Sequence, residues 1–262
     1  MRKLFTIICK ITVFFIGWAV LAGIIEIPSE DPAIWRFWAE VIPCAVMVLF
    51  TLVFLRIERG KICIPVRENM ARGAACGCFT GLVWIGIAAA VPVVLGQLTV
   101  SGGERLPRLW LWMASAFINV VMQELLVRGY IYQLLKKEYN LPAAVIVTTA
   151  LFTFMHGGAF EAGLLPVINV VTMCLFASAL YEAEGTILAP IMAHAVWNMV
   201  GALILGGVSL AEDYPHMFTM TASGNALLSG GAYRIEGSIV VTVLNLALML
   251  LFYGRYRQGR RR

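Results

Sequence analysis

Eight stretches of this chain are each apolar for about the length that a helix needs to cross a bilayer, ~20 residues. They run over 4–27, 36–56, 73–98, 109–135, 141–160, 163–182, 186–207 and 236–254. In lipid, backbone N–H and C=O groups must be satisfied inside a helix or a closed barrel. These runs are too long and too evenly apolar for barrel strands. The expected fold class is all-α, a polytopic membrane helical bundle of about eight transmembrane helices, folded as a single integral membrane domain over 1–262. Composition agrees, since only 13% of the residues are charged against roughly 25% in soluble domains.

The net charge of +5 is not a nucleic-acid signal, because the basic residues gather at the ends of apolar runs. With the N-terminus in the cytoplasm, the inner segments hold 14 basic residues: Arg2, Lys3, Arg56, Arg59, Lys61, Arg67, Arg72, Lys136, Lys137, Arg255, Arg257, Arg260, Arg261 and Arg262. The outer side holds 4: Arg36, Arg105, Arg108 and Arg234. This bias puts both termini in the cytoplasm and calls for an even number of spans. The expected location is a bacterial plasma membrane. The first run carries Lys10, lacks a small-x-small cleavage site and is expected to stay as a signal-anchor helix, with Lys10 snorkelling. Segment 57–72 is expected to be cytoplasmic and partly interfacial. The longest loop, 208–235, carries Ala211-Glu212-Asp213-Tyr214-Pro215 and Ser229-Gly230-Gly231 and is expected to lie outside as a cap or partly re-entrant segment. Five of the six cysteines lie in apolar runs, and all six are expected to be free thiols.

Ionisable residues inside spans are costly and mark function by default. In the fourth span, Glu124 precedes Arg128 by four residues, which suits an ion pair on one helix face. The fifth span ends in Phe152-x-x-x-His156. The seventh puts His194 and Asn198 on one face. The remaining histidine, His216, falls in the outer loop and is read as incidental. Taken singly, these side chains also fit structural roles: mutual neutralisation, a hydrogen-bonded helix end, helix-to-helix glue. Together, a carboxylate with a histidine can deprotonate water, while a second histidine and an amide donate to a developing oxyanion. No cofactor is expected. Glutamate and two histidines would also suit a divalent metal such as zinc, although no HExxH pattern is present.

The three patterns resemble the signature of the CAAX protease and bacteriocin-processing (CPBP, or Abi) family of intramembrane proteases: Glu-Glu-x-x-x-Arg, Phe-x-x-x-His and His-x-x-x-Asn/Asp. Here they stand as Gln123-Glu124-x-x-x-Arg128, Phe152-x-x-x-His156 and His194-x-x-x-Asn198, in a protease-like core over about 108–207. The stretch Gly230-Gly231-Ala232-Tyr233-Arg234-Ile235-Glu236-Gly237-Ser238 also resembles bacterial members. The resemblance implies an eight-helix endopeptidase with its cavity in the membrane. It assigns Glu124, His156, His194, Asn198 and position 123 to catalysis, with Arg128 and Phe152 in support. Eukaryotic members remove the last three residues of prenylated proteins, and bacterial members include peptide-maturation and bacteriocin-immunity proteins. The implied partners are a peptide or membrane-protein substrate and the lipid bilayer, with no nucleic acid.

One position departs from the pattern. The family's first glutamate is Gln123 here, and a carboxamide is no general base. Either Glu124 has taken the role, or the fold is kept for binding, as in a non-catalytic membrane regulator or immunity protein. A proton- or ion-relaying transporter is a third class, weakened by the lack of an evident internal repeat.

Overall fold

The computed structural model describes residues 2–27, 29–209 and 214–260. Ala211, Glu212, Asp213, Arg261 and Arg262 lie outside them. In chain order the elements are α1 (Arg2–Gly23), α2 (Pro32–Ile57), α3 (Met70–Val94), β1 (Leu98–Gly102), α4 (Leu109–Arg128), α5 (Tyr130–Glu138), α6 (Leu141–Met155), α7 (Gly157–Ala162), α8 (Leu164–Glu184) and α9 (Leu188–Asn198). A π-helical turn (Met199–Ile204), β2 (Phe218–Ala222), α10 (Ala226–Ser229), a 3₁₀ segment (Gly231–Gly237) and α11 (Ile239–Gly259) follow. Among the described residues, six helical stretches are long and apolar enough to span a bilayer. Two shorter apolar ones, Leu141–Met155 and Leu188–Ile204, complete the eight apolar runs. The chain is a helical membrane bundle.

Local chemistry sets the helix starts. Asp31 accepts from the Ile34 N–H ahead of Pro32, Asn140 from Ala143 ahead of Pro142, and Ser238 from Val240. Side-chain caps and early prolines suit donors that no helical carbonyl can reach. The third run is shorter as a helix than expected. It stops at Val94, and Leu98–Gly102 instead pairs antiparallel with Phe218–Ala222. The expected loop 208–235 is thus partly structured and tied to the α3–α4 connection.

The two ends of the bundle are distinct. At one end Lys3 meets Glu138 at 3.1 Å, and Lys137 donates to the Lys61 carbonyl at 2.6 Å. Arg255 meets Glu184 there at 2.7 Å, so both chain ends, segment 57–72 and the α5–α6 turn share that end. The sheet and an Arg108–Asp31 pair at 2.7 Å occupy the other. Just past α2, burial alone would raise the Glu58 carboxyl. Hydrogen bonds from Lys10 and Tyr130 outweigh that and hold it below the usual carboxylate range. Lys10 therefore does not merely snorkel; it reaches Glu58 at 2.5 Å.

Inside, two aromatic clusters fix the helices. Phe14 and Phe54 pack on Tyr130 with centroids 5.1 and 5.0 Å away. Trp84 stacks on Trp197 at 4.0 Å and meets Phe176 edge-on. Helix α3 lies tight on α9 because Gly73, Gly77 and Gly81 line its contact face, and a Cβ on Gly81 would stand 2.8 Å from the Ala193 carbonyl oxygen. Small residues at four-residue spacing let backbones approach closely in membranes. Here they seat the helix that carries His194 and Asn198. All six cysteines are free.

Candidate active site

The charged residues of α4 form a closed group. Glu124 and Arg128 are each 1% exposed, on one helix face as their spacing requires. Arg128 donates to Glu124 Oε2 at 2.6 Å, and His194 Nδ1 lies 3.0 Å from Glu124 Oε1. Arg128 also donates to the Cys174 carbonyl at 2.8 Å, which ties the cluster to α8. A carboxylate only accepts, so the His194 proton on this side sits on Nδ1. Each Glu124 oxygen thereby accepts one hydrogen bond, at a place that the neighbouring cavity does not reach. Asn198 is buried one turn further along α9.

A second region lies beside this group. A cavity of about 470 Å³ is enclosed between α4, the α6–α7 junction, α8 and the start of α11. Gln123, Phe152 and His156 stand in its wall. Glu124, Arg128, His194 and Asn198 do not line it. His156 reaches the cavity because α6 is short: 15 residues rise about 22 Å, less than a full span needs, and the chain then turns into α7. This resolves the uneven depth expected from counting residues along a full span. His156 Nδ1 lies 2.8 Å from the Phe152 carbonyl oxygen. That oxygen can only accept, so Nδ1 carries the proton and Nε2 of the neutral ring keeps its lone pair. The Phe152 ring stands 4.2 Å from the His156 ring and 6.2 Å from the His194 ring, so both imidazoles lie near it.

Gln123 is held as an amide. Glu40 Oε2 accepts from Asn119 Nδ2 at 2.8 Å, which turns the Asn119 carbonyl oxygen toward Gln123 Nε2 at 2.6 Å. Arg36 in turn pairs with Glu40 at 3.2 Å. A carboxylate at position 123 would face the Asn119 oxygen instead. Asn119 and Glu40 escaped the sequence reading, although Glu40 is a carboxylate within an apolar run and carried the same warning as Glu124. Glu236 escaped it too. It lines the cavity, and the signal for it was the glycine-rich stretch that contains it. In the loop that leads into β2, His216 Nε2 lies 3.1 Å from the Thr219 hydroxyl.

The donor set was also tested for a metal. Among the described residues, no three His, Cys, Asp or Glu side chains gather as a metal-holding group. Glu124 and His194 make a pair, but a guanidinium occupies the carboxylate's other oxygen. These residues do not fit a divalent ion.

Comparison with known proteins completes the picture. Searches of curated proteins and of solved structures returned no match. A family model does match: Rce1-like, type II CAAX prenyl endopeptidase, over residues 105–200. That segment holds all three motifs, the locked cluster and the His156 wall of the cavity. The three motifs fall inside the stretch that matches the Rce1-like, type II CAAX prenyl endopeptidase model, and the bundle is consistent with that likeness.

Proposed function

We propose that the protein is an intramembrane endopeptidase that hydrolyses peptide bonds of membrane-associated or peptide substrates by activating water in the buried cavity. The observation that carries this reading is His156. Its Nδ1 is fixed by the Phe152 carbonyl, leaving Nε2 as an acceptor in the wall of a cavity inside the bundle. A water bound there donates a hydrogen bond to Nε2, which orients its oxygen for attack on the scissile carbonyl carbon as a base takes its other proton. The tetrahedral oxyanion then collapses, the C–N bond breaks, and the proton passes to the departing amine. Apolar neighbours such as Met122, Leu126 and Met155 keep bulk water away from the reacting bond. Glu124 and Arg128 serve as the support, positioning His194 and through it α9. No metal takes part in this scheme.

The shared end of the bundle, with its basic residues, faces the cytoplasm in this proposal, and the sheet faces outside. A second reading rests on Gln123. Its amide is built into the Glu40–Asn119 relay, as expected of a member that keeps the fold for binding a peptide or membrane protein. Incubation of the purified protein in proteoliposomes with a farnesylated peptide ending in a CAAX sequence, followed by mass spectrometry, separates the two readings. Release of the C-terminal tripeptide, lost in His156→Ala, supports the peptidase. Saturable binding of the peptide without any product supports the binding member.

A further inference from the structure

The cavity has a carboxylate that the three motifs do not contain. Glu236 stands in the wall with Gln123 and His156. It enters from the opposite direction, on the 3₁₀ segment that precedes α11. Its Oε2 accepts from the Ser209 N–H at 2.8 Å. The Ser209 side chain and the charge of Arg234 also act on this carboxylate, and it remains part of the cavity wall. Glu124, by contrast, pairs with Arg128 and His194 and does not line the cavity.

The chain around Glu236 is built to hold it there. Gly230 has φ +78°, and Gly237 packs on it so closely that a Cβ on Gly237 would stand 3.0 Å from the Gly230 Cα. Either side chain would break this turn, which explains both glycines. Buried Asn169 of α8 then ties down the segment, donating to the Glu236 carbonyl at 2.7 Å and the Ser238 carbonyl at 3.0 Å. Asn245 donates to the Asn169 carbonyl at 3.2 Å and accepts from Trp84 at 2.8 Å. A carboxylate mounted on a buried network of this kind is fixed in place rather than waving in a loop.

We infer that Glu236 is the catalytic carboxylate of this cavity, supplying from the α11 side the general base that Gln123 cannot supply from α4. The inference rests on the peptidase reading. A water between the two groups donates one hydrogen to Glu236 Oε1 and the other to His156 Nε2, which turns an oxygen lone pair toward the substrate. As the oxygen bonds to the carbonyl carbon, its proton moves to Glu236. The C–N bond then breaks and that proton goes to the amine nitrogen, returning Glu236 to its carboxylate. No redox partner or cofactor is consumed.

Two measurements on full-length protein in proteoliposomes test this. The first is labelling with dicyclohexylcarbodiimide, an apolar reagent for carboxyl groups in membranes, with adducts located by mass spectrometry. Glu236 should be modified and Glu124, held between Arg128 and His194, should not; labelling of Glu124 with Glu236 untouched overturns the inference whatever the substrate. The second is cleavage of the farnesylated peptide. Glu236→Gln should lower kcat by roughly 10²–10⁴-fold with KM little changed, and should remove the acid limb of the pH–rate profile. Cleavage that survives Glu236→Gln overturns the assignment of Glu236 and leaves the peptidase reading standing. Labelled Glu236 with no cleavage by the wild type overturns the peptidase reading and the catalytic role with it.

Discussion

The two polar regions of the bundle use the same residue types in opposite ways. In the cluster behind the cavity, Glu124 pairs with both Arg128 and His194, and Arg128 also meets the Cys174 carbonyl, while its Nε has no partner among the described residues. In the cavity wall, His156 Nδ1 faces the Phe152 carbonyl and Glu236 Oε2 accepts from the Ser209 N–H, and both side chains border the open space. A buried charge that meets its counter-charge away from the cavity suits a structural role, since one without its partner is costly. A place beside a cavity suits a group that must bind a water or a substrate. Under the proposed function the motif residues divide between holding and reacting, although nothing in their spacing separates them.

The largest effect that tests this division is on folding. Arg128→Met leaves Glu124 charged, buried and bound only to His194. Loss of one partner of a buried ion pair costs about 3–5 kcal/mol, so thermal unfolding in detergent should show a large fall in Tm. An unchanged Tm would mean that the cluster bears no structural load. Activity should respond most to His156→Ala, with a fall of roughly 10²–10⁴-fold and little change in Tm, read as the rate of peptide release.

Gln123→Glu comes next. Because Glu40 sets the orientation of Asn119, a carboxylate at 123 meets an oxygen, and repulsion or a lost hydrogen bond follows. The expected outcome is a Tm lowered by the equivalent of about 1–3 kcal/mol and no gain in cleavage. A gain in rate would return the base to α4 and remove the need for Glu236. The smallest effect concerns pH. The Glu58 carboxyl is held below its ordinary value by Lys10 and Tyr130 against the opposing effect of burial. A depressed folded value contributes stability above the unfolded pKa, and that stability is lost as pH falls through the folded value. Unfolding scans between neutral and acidic pH should show this loss in the wild type, and Glu58→Gln should reduce it by about 1 kcal/mol or less.

Much of this was legible in the sequence because membrane folding leaves few choices. Each of the eight apolar runs contains a helix, and the i,i+4 spacing of Glu124 and Arg128 gave their pairing directly. Breaks inside runs were less visible. The turn at His156 follows Phe-Met and precedes a Gly-Gly pair, yet hydropathy continues through 160, so the run was read as one helix. The strand at Leu98–Gly102 depends on a partner more than a hundred residues away, which no local pattern reveals. The division of the site was hidden for a similar reason. Which wall a side chain faces depends on the tilt of α6 and on the Gly230–Gly237 turn, and both are set by packing.

One measurement bears most directly on the separation of holding from reacting: the cleavage rate of the farnesylated peptide in proteoliposomes, per mole of folded protein, for two variants side by side. Glu124→Gln/Arg128→Met removes both charges of the buried pair together with similar volume, which avoids stranding either one. His156→Gln removes the imidazole from the cavity wall. The expected result is that the pair replacement folds and keeps most of its activity, while His156→Gln folds and loses nearly all of it. A folded pair replacement with no activity, beside an active His156→Gln, would place the chemistry in the buried cluster and contradict the division drawn here.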